Sequence, residues 1–435
     1  VIVVITAALL AGGAYVRGAR SNGAPPVAGV ARGLEPAAGP AMLTTDEAIA
    51  FWRDRYERDP RDFISLTHLG EAFLRKGRES GDGGYASRAE AALRAALDLQ
   101  PTDQRALSAL SAALLAQHDF TGALELAQHV YATDPGSLQA LATIGDAQIE
   151  LGNYDAARAA YAELLERAPG PAVYARQAYL DWLLGRPETA LDLMQRAAGE
   201  AAARDQSGAT VAWYHVRMGE FVFSLGRIEE AEQHFTTAGK HFSDYYLALA
   251  GIARVRAAQG RLAEAIALYE QVITIAPQPG FLAALGDVYA VSDQPDAARR
   301  QYETLDALGQ LAASNATGNR QLALIYANHN RKLAEALDLA QRELAQRPDI
   351  YSYDALAWAL YKNGRYDDAA DAIGPAMALG TRDAQLFYHA GMINAALGDE
   401  QHAAALLAEA LSINPHFDQL QARVARATLE RLRAR

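Results

Sequence analysis

The chain has 435 residues, 51% hydrophobic and 21% charged, the balance of a folded chain rather than a disordered one. Its formal charge of −12 argues against general nucleic-acid binding, because such a surface repels phosphate. There is no cysteine, which excludes disulfides, thiolate metal sites, a cysteine nucleophile and a lipid-modified cysteine anchor. Lysine occurs only at positions 76, 240, 332 and 362, a bias read as that of a GC-rich, bacterial gene.

The sequence opens on an apolar run, Val1–Val16, followed by Arg17 and Arg20. The run is shorter than the ~20 residues that span a bilayer, and a few more would complete it. A retained membrane anchor, the hydrophobic region of a cleaved signal segment and a buried core segment all stay open. Residues 17–43 are rich in Ala, Gly and Pro and cannot bury a core, so they read as a flexible linker. The body is expected at the bacterial envelope, outside the cytoplasm. A cytoplasm-facing body is the alternative that Arg17 and Arg20 favour on the positive-inside rule.

From Thr44 onward apolar residues recur at three- and four-residue steps, and Gly or Pro punctuates every dozen or so positions. Residues 44–62 read as one capping helix, with Thr44 or Thr45 as its N-cap. Residues 63–417 then repeat. Pro101, Pro135 and Pro169 stand 34 residues apart, and alanines from Ala89 to Ala403 recur in steps of 33 to 41. Bulky residues follow four positions later (Leu93, Tyr161, Phe235, Tyr302, Leu407), and small ones precede the alanine by twelve (Gly145, Gly219, Gly286, Gly391). The segment LATIGDAQIELGNYDAARAAYAELLERAP, Leu141–Pro169, carries the whole pattern.

This pattern resembles the tetratricopeptide repeat, a helix–turn–helix unit of ~34 residues. The resemblance implies an all-α fold, a right-handed α-solenoid of about ten units. Residues 418–435 form an amphipathic helix that would cover the last apolar face. Three insertions are expected, near 76–87, 199–208 and 307–315. The first contains GRESGDGG, which lacks the strand and the Lys-Ser/Thr of a phosphate loop and reads as a long turn between helices.

In such arrays the first helix of each unit faces the concave groove. Carried onto this chain, units four and five present Arg176, Tyr179, Trp182, Trp213, Arg217, Glu220 and Phe223. Units nine and ten present Tyr351, Asp354, Trp358, Tyr361, Tyr388, His389 and Met392. Units six to eight are smaller or polar, with Ala250, Gly251, Arg254, Gly280, Ala283, Asp287 and Gln321. Aromatic and Arg side chains dominate interface hot spots, so the two aromatic patches are the binding candidates, unless the rings pack between helices instead.

The positions that clamp a terminal carboxylate in chaperone-binding arrays carry Thr67, Glu71, Ala109, Gln139 and Thr143 here, so an Hsp70 or Hsp90 tail is not expected. Neither a catalytic residue nor a metal site nor a cofactor is expected. Glu230 and His234 read as a solvated pair. His389 and His402 should lie on different faces of unit ten.

The functional expectation is a non-enzymatic scaffold that binds a protein or peptide in the groove, without nucleic acid and with the membrane engaged through the N-terminal segment. The alternative is an assembly or maintenance subunit of an envelope complex, for secretion, pili or cytochrome maturation. An enzyme with an unrecognised site is the remote reading.

Overall fold

The computed structural model describes residues 43–204, 206–313 and 319–434. The apolar run 1–16 and the linker up to residue 42 lie outside the described residues. Among the described residues no helix is long and apolar enough to cross a membrane.

The described residues form 22 helices and no strand. Helix α1 (Thr45–Arg58) starts from Thr44, whose hydroxyl accepts from the Glu47 amide while the Glu47 side chain accepts from the Thr44 amide. Ten helical pairs follow. Their first helices are α2 (Phe63–Ser80), α4 (Gln104–Ala116), α6 (Leu138–Glu150), α8 (Pro171–Leu183), α10 (Gly208–Ser224), α12 (Tyr246–Ala258), α14 (Pro279–Val291), α16 (Asn319–Asn328), α18 (Ile350–Lys362) and α20 (Ala384–Leu397). Their second helices are α3 (Gly84–Leu99), α5 (Phe120–Thr133), α7 (Tyr154–Arg167), α9 (Pro187–Ala203), α11 (Ile228–His241), α13 (Leu262–Ile275), α15 (Pro295–Ala313), α17 (Leu333–Gln346), α19 (Tyr366–Met377) and α21 (Glu400–Ile413). Helix α22 (Gln421–Arg433) closes the series and packs against α21. The chain is thus an all-helical solenoid.

The small residues of the repeat sit where two helices of a pair meet. A methyl group on Gly219 would lie 2.7 Å from the Phe235 ring, and one on Gly286 would lie 2.6 Å from Tyr302. At Gly145 it would collide with the Tyr161 ring, which is itself buried. Gly145→Ala is therefore expected to cost about 1–3 kcal/mol through overpacking. A chemical denaturation midpoint indistinguishable from that of the parent protein would refute this close-packing account. The turn inside each pair needs a left-handed residue. Glycine supplies it in seven pairs, Gly152 and Gly185 among them, and His118, Asp293 and Asn330 in the other three.

The expected long turn at GRESGDGG does not form. Helix α2 continues through Gly77, Arg78, Glu79 and Ser80, and only Gly81–Gly83 separate it from α3. Gly81, with φ of 71°, ends the helix in the left-handed conformation. The additional length becomes helix because Glu71, Ala72, Leu74, Arg75, Lys76, Arg78 and Glu79 are good helix formers that carry Gly77 along, up to the left-handed break at Gly81.

The feature that positions the site is the pitch of the superhelix. The turn inside one pair touches the loop that opens the pair six units later. Gln278 Nε2 donates to the Gly81 carbonyl at 3.1 Å, joining unit one to unit seven. The Ile350 amide donates to the Tyr154 hydroxyl at 3.0 Å, joining unit three to unit nine. Thr381 donates to the Leu183 carbonyl, joining unit four to unit ten. Asn414 Nδ2 donates to the Phe223 carbonyl at 2.8 Å, joining unit five to the loop before α22. Methyl groups on Gly152 or Gly185 would collide with the carbonyls of Pro348 and Gly380. Successive superhelical turns therefore lie against each other along one continuous seam.

Candidate functional site

Because consecutive turns touch, the first helices enclose an axial interior rather than an open groove. This decides the fate of the twelve groove candidates. Arg176, Tyr179, Trp182, Trp213, Arg217, Phe223, Asp354, Trp358, Tyr388 and His389 are buried, and Tyr351 and Tyr361 are half-buried. The expectation of two exposed aromatic patches is corrected accordingly: the rings are packed into the interior. Trp182 stacks on Phe221 with ring centres 4.5 Å apart. Trp358 stacks on His389 and Tyr361 and donates its indole N–H to Asn328 at 2.7 Å. Tyr388 donates to Gln421 at 2.8 Å.

The charged candidates are committed to partners as well. Arg176 forms a two-pronged pair with Asp146 of the preceding first helix, both contacts at 2.9 Å, and Tyr161 donates to the same carboxylate at 2.8 Å. Arg217 pairs with Glu220 at 2.7 Å. His389 Nδ1 lies 2.8 Å from Asp354. At the seam, Arg347 meets Glu150, Glu343 and Asp349, and Arg320 meets Asp349 at 2.7 Å. Burial opposes the charge on Asp349, but Arg320 and Arg347 outweigh it and hold the carboxyl below its ordinary range. Burial together with the same two arginines pulls His118 down to about 3, so this interior imidazole is neutral at physiological pH.

His402 is exposed and bound to Asp399 at 2.6 Å on its own helix, while His389 is fully buried, so the two histidines of unit ten lie apart. Glu230 and His234 are 4.0 Å apart on one helix face. His68 stacks on Trp52 of α1 at 4.3 Å, which ties it to the cap.

What remains open is a chain of chambers that share lining residues. The widest, ≈ 680 Å³, lies between α1, α2, α8, α10 and α11 and is lined by Leu43, Arg75, Arg78, Trp213, Phe242 and Tyr245, among others. Arg78, Trp213 and Tyr245 also line the next, ≈ 260 Å³. That one shares Leu247 and Gln321 with a third of ≈ 130 Å³. The third shares Gln321, Ile325 and Asn328 with a last chamber of ≈ 60 Å³ beside Arg347 and Asp354. The interior thus tapers from one end inward.

Three groups on this path lack a hydrogen-bond or ion-pair partner among the described residues. The Trp213 indole N–H is buried without an acceptor. Arg78 forms no ion pair with a described carboxylate, and burial, with Arg75 beside it, lowers its guanidinium to about 10. Arg254 stacks over the Phe223 ring at 4.1 Å, and its Nε–H is enclosed without an acceptor. Trp213 was on the expected register. Arg254 was too, but it was placed in a smooth middle stretch, and Arg78 was hidden in a segment read as turn. The signal for Arg254 was its place one unit beyond Arg217 on the concave register.

The architecture defines an α-solenoid of paired helices whose first members line a tapering interior. Two family models described as tetratricopeptide repeat match the chain, one over residues 114–179 and the other over 81–137, 222–278 and 355–416. The chain is a tetratricopeptide-repeat protein. No curated protein sequence matches it. Among solved structures it is similar to yeast Tom70, at 12% identity and a TM-score of 0.39 over 90% of this chain and 97% of that one. It is also similar to the APC/C hetero-tetramer Cut9–Hcn1, at 15% identity and a TM-score of 0.35 over 89% and 93%. A tetratricopeptide repeat protein from Parabacteroides merdae ATCC 43184 is 17% identical, with a TM-score of 0.34 over 63% of this chain and 98% of that one. Likeness at these levels says nothing about partners.

Proposed function

We propose that the protein is a non-enzymatic scaffold that receives an extended segment of a partner protein through the wide end of its axial interior. The observation that carries this reading is the ≈ 680 Å³ chamber with Arg75, Lys76 and Arg78 on one wall and Trp213, Phe242 and Tyr245 among its aromatic residues. Lys76 is engaged by Asp46 at 2.7 Å, which leaves Arg75 and Arg78 to meet acceptors on the guest. An extended chain offers carbonyls and carboxylates, which match the guanidinium groups and the unsatisfied Trp213 indole. The proposal includes tethering at the bacterial envelope through the N-terminal apolar segment, with the body outside the cytoplasm.

The test is capture of a stoichiometric partner from detergent-solubilised membranes by the full chain. Trp213→Phe, which keeps the ring but deletes the N–H, and Arg78→Gln should each lower partner recovery about tenfold. Undiminished recovery by both folded variants would place the binding surface elsewhere.

A further inference from the structure

The third chamber, of ≈ 130 Å³, has a chemistry of its own. Its apolar wall includes Leu247, Ala250, Phe281, Ala284, Ile325 and Phe417. Phe417 belongs to the loop between α21 and α22, which the next superhelical turn brings over α12 and α14. The volume is close to that of the apolar cavity of about 150 Å³ known to admit benzene, so it suits one ring or a branched chain of four carbons. It is too small for a helix or a folded partner.

Three acids also line the chamber, and each is already engaged. Asp287 accepts from Tyr302 at 2.6 Å and faces His329 at 2.6 Å. Glu220 is paired with Arg217. Asp418 accepts from the amides of Leu420 and Gln421 at 2.8 and 2.7 Å. Arg254 is the charged group without a direct ion pair or hydrogen bond to a described residue. Its guanidinium carbon lies 4.1 Å from the Phe223 ring centre and makes no direct ion pair with a described carboxylate, and Glu220, which acts on it through space, is already paired with Arg217. Enclosing a cation without a direct counter-ion is costly, and an anion that brings an apolar body would offset that cost while filling the chamber.

We propose that this chamber binds a compact apolar carboxylic acid, with the carboxylate on Arg254 and the hydrocarbon body among Ala250, Phe281, Ala284, Ile325 and Phe417. Because Phe417 comes from the following superhelical turn, the bound acid bridges two turns and stabilises the closed form. The site involves no protein partner, so it stands or falls apart from the scaffold reading.

The experiment is thermal unfolding of the full chain with isovalerate and benzoate at about 10 mM, against 3-methylbutanol and 3-methylbutylamine as neutral and cationic counterparts. The acids should raise the midpoint and the alcohol and amine should not. Arg254→Met, which keeps the stem over Phe223, should weaken the acids at least tenfold in titration. Ala284→Leu, which fills the chamber and leaves Arg254 in place, should abolish the shift independently. No shift with either acid, an equal shift with the alcohol or amine, or an unchanged shift in either variant would overturn the assignment.

Discussion

Arg347→Ala is expected to destabilise the protein by about 3–5 kcal/mol, because it removes a buried guanidinium that three enclosed carboxylates share. Arg347 lies in the loop that opens unit nine, and Glu150 ends the first helix of unit three. Both are almost wholly enclosed. Removing the guanidinium takes away the cation that Glu150, Glu343 and Asp349 share, while Arg320 still pairs with Asp349 and acts on Glu150 and Glu343 through space. The damage should be local. Hydrogen exchange should accelerate at the end of α6, in α17 and at the start of α18, and the outer pairs should keep their protection, since repeat arrays unfold in units. Replacing both members, Arg347→Met with Glu150→Gln, should recover much of the loss, because the fully buried carboxylate is then neutralised together with the cation. A denaturation midpoint unchanged by Arg347→Ala would mean that the turns do not lie against each other.

Arg176→Leu is expected to have an effect of the same size, about 3–5 kcal/mol, within one superhelical turn. The Asp146 carboxylate is fully buried between Tyr161 and Arg176, and its two oxygens take both prongs of the guanidinium. Leucine fills part of the space but leaves the anion uncompensated. Asp146→Asn added to Arg176→Leu should restore part of the stability, since a neutral amide still accepts from Tyr161. The pair joins α6 to α8, so it is a strut between neighbouring first helices, although Arg176 lies on the register where a groove residue was expected. Chemical denaturation of the single and double variants checks this; additive losses would contradict it.

The helical pairs were legible in the sequence because their packing is local. Gly145 against Tyr161 and Gly219 against Phe235 lie within one repeat, so the 34-residue period carries them. The inward face of the first helices was legible for the same reason. What fills that face was not. The contacts that close the interior join Tyr154 to Ile350 and Phe223 to Asn414, which are 196 and 191 residues apart. The pitch that brings them together accumulates from small rotations in each pair, and the repeat pattern says nothing of those rotations. The aromatic rings of units four, five, nine and ten were therefore expected on a surface, when the next turn covers them. The small residues Ala250, Gly251 and Ala283 marked the place where space is left instead.

Closure of the superhelix on itself is the central claim, since it decides where a guest can enter. The Ile350 amide tests it most directly. Ile350 is the first residue of α18, so its N–H has no acceptor within its own helix. Its acceptor is the Tyr154 hydroxyl of unit three, six units earlier in the chain and on the adjacent superhelical turn. In residue-resolved hydrogen exchange the amide should be protected in the parent protein and exchange at least tenfold faster in Tyr154→Phe, which removes the hydroxyl alone. Equal exchange at Ile350 in the two proteins would contradict the closed superhelix.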